Sequence, residues 1–242
     1  MIVGPEKGLY HERTLMANIS KRVKTNNELV GANKIYSFDE ALELAKKTAT
    51  TKFNGTIEVH IKTTIDPKKT DQQVRGTANL PHGTGKTKKI AAFVTEAKEK
   101  DAKDAGAAII GGEELIKQIK ETGKTDFDIA VSEPALMPKL AVIAKILGTR
   151  GLMPNPKTGT VSDNISGVIK EIAGGKINFK NDDSGNIHAS IGKANFSSEQ
   201  LAENLKAFYQ ALTSSKPSTV KGQFVKSMAL NSTMGPGIKF KM

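Results

Sequence analysis

Gly83-Thr84-Gly85-Lys86-Thr87 holds the residue types of a phosphate cradle: glycines for close approach, a lysine for charge, a hydroxyl for polar contact. A P-loop also needs a glycine five residues before its Gly-Lys-Thr, and Leu80 stands there. The stretch then runs into an apolar strand, not into a helix N-terminus that could hold phosphate. The Gly-x-Gly-x-x-Gly pattern fails at Lys88, so the segment reads as a basic hinge. No Gly-x-Ser-x-Gly occurs and no histidine sits beside a nucleophile. Glu113-Glu114 and Asp182-Asp183 fall at a helix start and in a turn, where acids are ordinary. His11, His60, His82 and His188 lack metal-ligand spacing, and the absence of cysteine excludes disulfides, thiol catalysis and cysteine-bound zinc. The expectation is a protein that is not an enzyme, with no metal and no cofactor.

The chemistry that remains is binding. Lys and Arg number 36 against 25 Asp and Glu, a formal charge of +11 in 242 residues. An imbalance of that size favours a polyanion, most often nucleic acid. Residues 51–66 supply a surface for one. Ile57, Val59, Ile61 and Ile65 point one way, while Thr56, Glu58, His60, Lys62, Thr64 and Asp66 point the other. That alternation describes an antiparallel strand covering a core on one side. Lys52 and Phe53 stand at its entrance.

The elements around that strand fall into two grammars. A capping box, Ser37 with Glu40, starts a helix over 37–50, with Phe38, Ala41, Leu42, Ala45 and Ala49 at helical spacing. After the strand, 72–80 is a second extended segment. Beyond Pro81 come unbroken apolar runs at 90–94, 107–110 and 127–131, which predict strands covered on both faces. Helices are expected between them at 96–104, 113–120 and 134–147, and a further one capped by Asp163. At Gly174-Gly175 the first grammar returns, with a hairpin of 176–181 and 186–191, a helix over 197–212, and strands near 222–230 and 238–240. The fold expected is α/β and α+β in two domains. A discontinuous α+β sandwich with a half-exposed antiparallel sheet, residues 1–83 and 176–242, carries an inserted three-layer, Rossmann-like α/β domain, residues 84–175. Gly83, Gly85, Gly174 and Gly175 mark the two crossings as a hinge. The longest apolar runs are too short to span a bilayer, so no membrane partner is expected. The N-terminus lacks the apolar core of a secretory signal. Met16 makes a natural start, so 1–15 reads as an extension, with Lys21, Arg22 and Lys24 forming a short basic arm.

One loop is more specific. Gly148-Thr149-Arg150-Gly151-Leu152-Met153-Pro154-Asn155-Pro156-Lys157 closely resembles the signature loop of the family of the first ribosomal protein of the large subunit. That family is the RNA-binding protein of the mobile ribosomal stalk. Residues 52–60, 71–76, 80–86, 111–114, 186–189 and 232–236 resemble it in the same order, from about Met16 to the C-terminus. Thr149 stands where the family usually has proline.

The resemblance implies a cytoplasmic ribosomal protein of bacterial type, monomeric off the ribosome. It implies binding to the stalk of large-subunit rRNA, help in releasing deacylated tRNA from the exit site, and repression of its own mRNA. Carried over by residue, the rRNA surface is Lys52, Phe53, Thr56, Glu58 and His60 with Ser232, Thr233, Met234 and Gly235. Lys180 and Lys193 would add phosphate attraction. Gly148, Arg150, Gly151, Pro154, Asn155, Pro156 and Lys157 form the signature loop. Two rival readings are a nucleotide-dependent enzyme using the α/β segment and a protein-interaction module in its place. The first would require saturable ATP or NAD binding.

Overall fold

A computed structural model of the chain describes residues 20–31 and 34–242. The expected extension at 1–15 lies outside the described residues. The basic arm forms helix α1 (Lys21–Leu29), anchored by the buried Asn26, whose amide donates to Thr48 O at 3.2 Å. Helix α2 (Phe38–Lys47) starts from the Ser37–Glu40 capping box and buries Ala41, Leu42 and Ala45. Asp39 and Glu40 lie in the first turn and Lys46 and Lys47 in the last, where each complements the helix dipole.

Strand β1 (Thr56–Thr63) buries Ile57, Val59 and Ile61, with Ile65 buried just beyond its end. Thr56, expected on the open face, is only 6% exposed, because Thr233 closes over its backbone. Strand β2 (Arg75–Asn79) follows a 3-10 turn at Thr70–Gln72. The middle of the chain then builds β3 (Ile90–Phe93), α3 (Glu99–Asp104), β4 (Ile109–Gly111), α4 (Glu113–Thr122) and β5 (Ile129–Ser132). These three strands are parallel, in the order β4-β3-β5. Alternate residues of β3 serve two cores. Ala91 and Phe93 pack with Ile116, Ile119, Leu140 and Leu147, whereas Ile90 and Ala92 pack with Ala102, Val168, Ile169 and Ile172.

Leu136, Leu140, Ile143 and Leu147 are all buried, but the single helix expected over 134–147 is broken. It runs as 3-10 turns at Pro134–Leu136 and Ala141–Ile143 with short helices α5 (Met137–Leu140) and α6 (Ala144–Thr149). Pro138 removes a backbone donor within it. Helix α7 (Ile165–Ala173) is capped by Asn164, not Asp163: the Asn164 side chain accepts from Gly167 N at 3.0 Å.

Strands β6 (Lys176–Lys180) and β7 (Asn186–Lys193) share one bridge, Asn181 with Ile187, and then diverge. The expected hairpin is therefore split between sheets. β6 pairs with β2, while β7 joins β1 in a four-stranded antiparallel sheet. Asp182 shapes the bend by accepting backbone N–H groups of Ser184 and Asn186. Helix α8 (Ser198–Ser214), also with a capping box, buries Leu201, Leu205, Phe208 and Leu212. Strands β8 (Val225–Ser232) and β9 (Ile238–Phe240) complete the sheet order β7-β1-β8-β9. One hydrophobic core draws on residues from Tyr36 to Leu80 and from Ile177 to Phe240.

The two crossings touch. Leu80 N donates to Gly175 O at 3.3 Å, and Gly83 and Gly175 have φ of 64° and 111°. A Cβ on Gly175 would lie 2.5 Å from Gly83 Cα and 2.8 Å from Leu80 O, both backbone atoms. Gly175→Ala should therefore cost at least about 1–3 kcal/mol of stability in thermal or denaturant unfolding. Gly174 differs, with an ordinary φ of −71° at the end of α7.

Candidate nucleic-acid interface

The site begins where the two parts of the chain meet. Ile57 pairs with Ser232 in the ladder, and one residue further Thr233 locks onto Thr56. Thr233 N donates to Thr56 O at 2.9 Å, and Thr56 N donates to Thr233 Oγ1 at 2.9 Å. The chain then turns sharply, Gly235 N donating to Ser232 O at 2.7 Å. Met234 sits at the tip with φ of 64°, the sole non-glycine residue in the left-handed region among the described residues. The residue is 65% exposed, and Phe53 on the neighbouring loop is 57% exposed. Phe53 and Met234 thus both present apolar surface to solvent. Arg22 of α1 reinforces the turn by donating to Met234 O at 3.1 Å. Gly235 has an internal reason: a Cβ there would collide with Ser232 Oγ.

A polar sheet surface extends from that edge. Glu58 is half-buried between Ser190 of β7 and Asn231 of β8. His60 Nδ1 lies 2.7 Å from His188 Nδ1, and its Nε2 lies 2.9 Å from Asn231 Oδ1. His188 Nε2 in turn lies 3.4 Å from Asp182 Oδ2. Ser190 Oγ is buried without a hydrogen-bond partner among the described residues. Hydroxyl, amide, imidazole and carboxylate groups on a rigid sheet are suited to ribose hydroxyls, base edges and phosphates.

The Asp182 carboxyl is held down at about 2, chiefly by the backbone N–H of Asn186; burial opposes this, and the Asn186 side chain, Ser184 N and His188 add to the lowering. A depressed carboxylate stabilises the fold above its ordinary pKa of 3.8, and that contribution fades as pH falls through about 2. Asp182→Ala should lower the melting temperature at neutral pH, with the deficit shrinking in melts taken between pH 4 and pH 2.

Not all expected contacts lie on this face. Ser232 is fully buried, its hydroxyl 3.4 Å from Thr48 Oγ1, so its side chain supports the turn and cannot touch a ligand. Thr56 likewise supports Thr233 from below. Lys52 is exposed, and Lys193 reaches back to Asn54 O at 3.3 Å. Lys180 belongs to the two-stranded sheet, opposite Arg75. The signature loop lies across a groove of about 330 Å³ from that pair. Its bonds are internal or structural: Asn155 Oδ1 accepts from Lys157 N at 2.9 Å, and Arg150 donates to Thr125. Gly151 supplies the turn with φ of 69°, whereas Gly148 is helical; Pro154 is buried, and Pro156 and Lys157 are exposed in a 3-10 turn.

Sequence reasoning passed over Asn231 and Arg22 as site residues. Asn231 continues the outward alternation that ends at Thr233, a signal that was available. The Arg22 contact spans more than two hundred residues and had no local signal.

Met234 also allows a test of function against stability. A side chain in the left-handed region costs about 1–2 kcal/mol, partly offset in a Met234→Gly variant by glycine's extra unfolded-state entropy. Met234→Gly should leave stability unchanged or up to about 1 kcal/mol higher while weakening RNA binding. Thermal melts beside a binding titration check both halves.

In open α/β sheets ligands bind beyond the carboxyl ends of the strands. There, Glu133 accepts from Thr95 N, Thr95 Oγ1 and Lys98 Nζ, which places an ion-paired carboxylate beyond the ends of β3 and β5. The Gly83–Thr87 segment enters β3 at its other end.

Residues 45–236 match the model of the Ribosomal protein L1p/L10e family. The chain is 50% identical to "Large ribosomal subunit protein uL1" of Mesoplasma florum over 227 residues, 94% of this chain and all of that protein. Proteins of the same name from Mycoplasma capricolum subsp. capricolum and Thermosipho africanus are 51% and 47% identical, covering 93% of this chain and 99% and 97% of theirs.

Proposed function

This chain belongs to the ribosomal protein L1p/L10e family, and we propose that it is a structural constituent of the bacterial large ribosomal subunit that binds stalk rRNA through the face just described. It works at the cytoplasmic ribosome and is not an enzyme. The observation that carries the RNA reading is the pairing of Thr56 with Thr233, which sets exposed Phe53 and Met234 on one edge of a polar sheet. Phe53 stacks on an unstacked base or ribose, and the sheet beyond it reads hydroxyls and base edges.

Residues 1–83 and 176–242 form the RNA-binding domain, and 84–175 an inserted α/β domain, joined through Gly83, Gly85, Gly174 and Gly175. The touching crossings and the separate hydrophobic cores support that division. A hinged arm of this kind suits a protein that helps exit-site tRNA leave. An mRNA presenting the same structure as the stalk would compete for the same face, which gives the protein a means to repress its own synthesis.

Calorimetric titration with a stalk rRNA fragment, and separately with ATP and NAD, tests the reading. Salt-dependent RNA binding without saturable nucleotide binding is expected. Saturable ATP or NAD binding with no RNA affinity would restore the enzyme alternative.

A further inference from the structure

A groove leads from the edge of the candidate face into the space between the two-stranded sheet and the parallel sheet. Its first part, about 540 Å³, is lined by Lys86, Lys88 and Lys193 with Asp128. The second, about 330 Å³, shares Asp128 and ends at Arg75 and Lys180. Lys193 joins the groove to the face, since its ammonium holds Asn54 O at 3.3 Å, next to Phe53. Gly85 packs against its stem: a Cβ there would lie 2.8 Å from Lys193 Cγ. Five cations thus meet one carboxylate. Among the described residues, Arg75, Lys86, Lys88 and Lys180 form no salt bridge. Asp128 already accepts the Lys89 N–H at 2.9 Å.

We propose that this groove is a second RNA-contact surface, taking the phosphates of a single-stranded segment that adjoins the stalk element on the face. The inference rests on the face itself holding stalk rRNA. A basic groove tracking the backbone is how proteins hold single strands without reading sequence. A strand leaving the Phe53 edge meets Lys193 first, then Lys86 and Lys88, then the Arg75–Lys180 pair. Burial holds the Lys88 ammonium below its ordinary pKa, Asp128 only partly opposing and Lys86 adding to the effect. A phosphate there would supply the missing countercharge. The polar lining, with Asn155, Thr158 and Asn178 among it, suits phosphate and ribose better than an apolar ligand.

The full chain and a Lys86→Gln/Lys88→Gln variant are titrated with a minimal stalk fragment and with the same fragment carrying single-stranded extensions. Each titration is repeated from 50 to 200 mM salt. The wild type should bind the extended RNA more tightly and with a steeper salt dependence. The variant should lose that advantage, its slope flattening by about 0.7 per phosphate contact removed, while affinity for the minimal fragment and the melting temperature stay the same. Equal affinities and slopes for the two RNAs would overturn the groove and leave the face standing. Equal weakening of both RNAs by the variant would also overturn it, by placing these lysines in the stalk contact. No wild-type binding to the minimal fragment would refute the face, and the groove with it.

Discussion

Phe53→Ala is expected to weaken stalk-RNA binding by about 1–3 kcal/mol, roughly 5- to 150-fold, and to leave the melting temperature almost unchanged. Phe53 is 57% exposed on the loop before β1, outside the hydrophobic core. Little packing is lost when it is truncated, and substitutions of that kind usually fall within about 0.5 kcal/mol of neutral. A base stacked on it would lose its platform. Filter binding and a thermal melt on one preparation separate the outcomes. A lowered melting temperature with intact affinity would make Phe53 a packing residue and remove the anchor of the RNA reading.

Asn204→Ala should have the largest effect on stability. Asn204 is fully buried in α8, and every polar atom of its side chain is used. Its amide donates to Gly83 O at 2.9 Å and Ile191 O at 2.7 Å, while its Oδ1 accepts from His82 N at 3.0 Å. The residue ties the first crossing to strand β7. Alanine would leave backbone groups without partners, a loss of about 2–4 kcal/mol, or on the order of 10 °C in melting temperature for a chain of this size. Asn204→Asp should be no better, because a carboxylate would face two carbonyl oxygens. If Asn204→Ala melts like the wild type, the crossing is held by something else.

These two residues also mark what the sequence could disclose. Glu58 and His60 were legible because a period of two assigns faces without reference to the rest of the fold; Phe53 lies before the strand and entered the site through the family resemblance. Helices α2 and α8 were legible from caps and stripes, and the parallel strands from unbroken apolar runs, whereas α1 was read only as a basic arm. Asn204 was not legible, since an asparagine in an amphipathic helix looks the same whether it meets water or three backbone groups. Ser232 was misplaced for a related reason. Alternation puts it on the inward face of β8, but the motif around it drew it into the contact set. The split of β6 from β7 depends on which strand takes each ladder edge, and β2 and β1 compete for them over more than a hundred residues. Pro138 was a signal for the break in the 134–147 helix that the reading of a single helix passed over.

The face as a whole requires that residues near Phe53 and residues near Met234 touch the same RNA. A photo-cross-linking amino acid placed at position 53 and, separately, at position 234, followed by mapping on large-subunit rRNA, examines that directly. Both positions should cross-link to neighbouring stalk nucleotides. Cross-links in unrelated regions, or at one position alone, would mean that the joined chain ends are not a single binding surface.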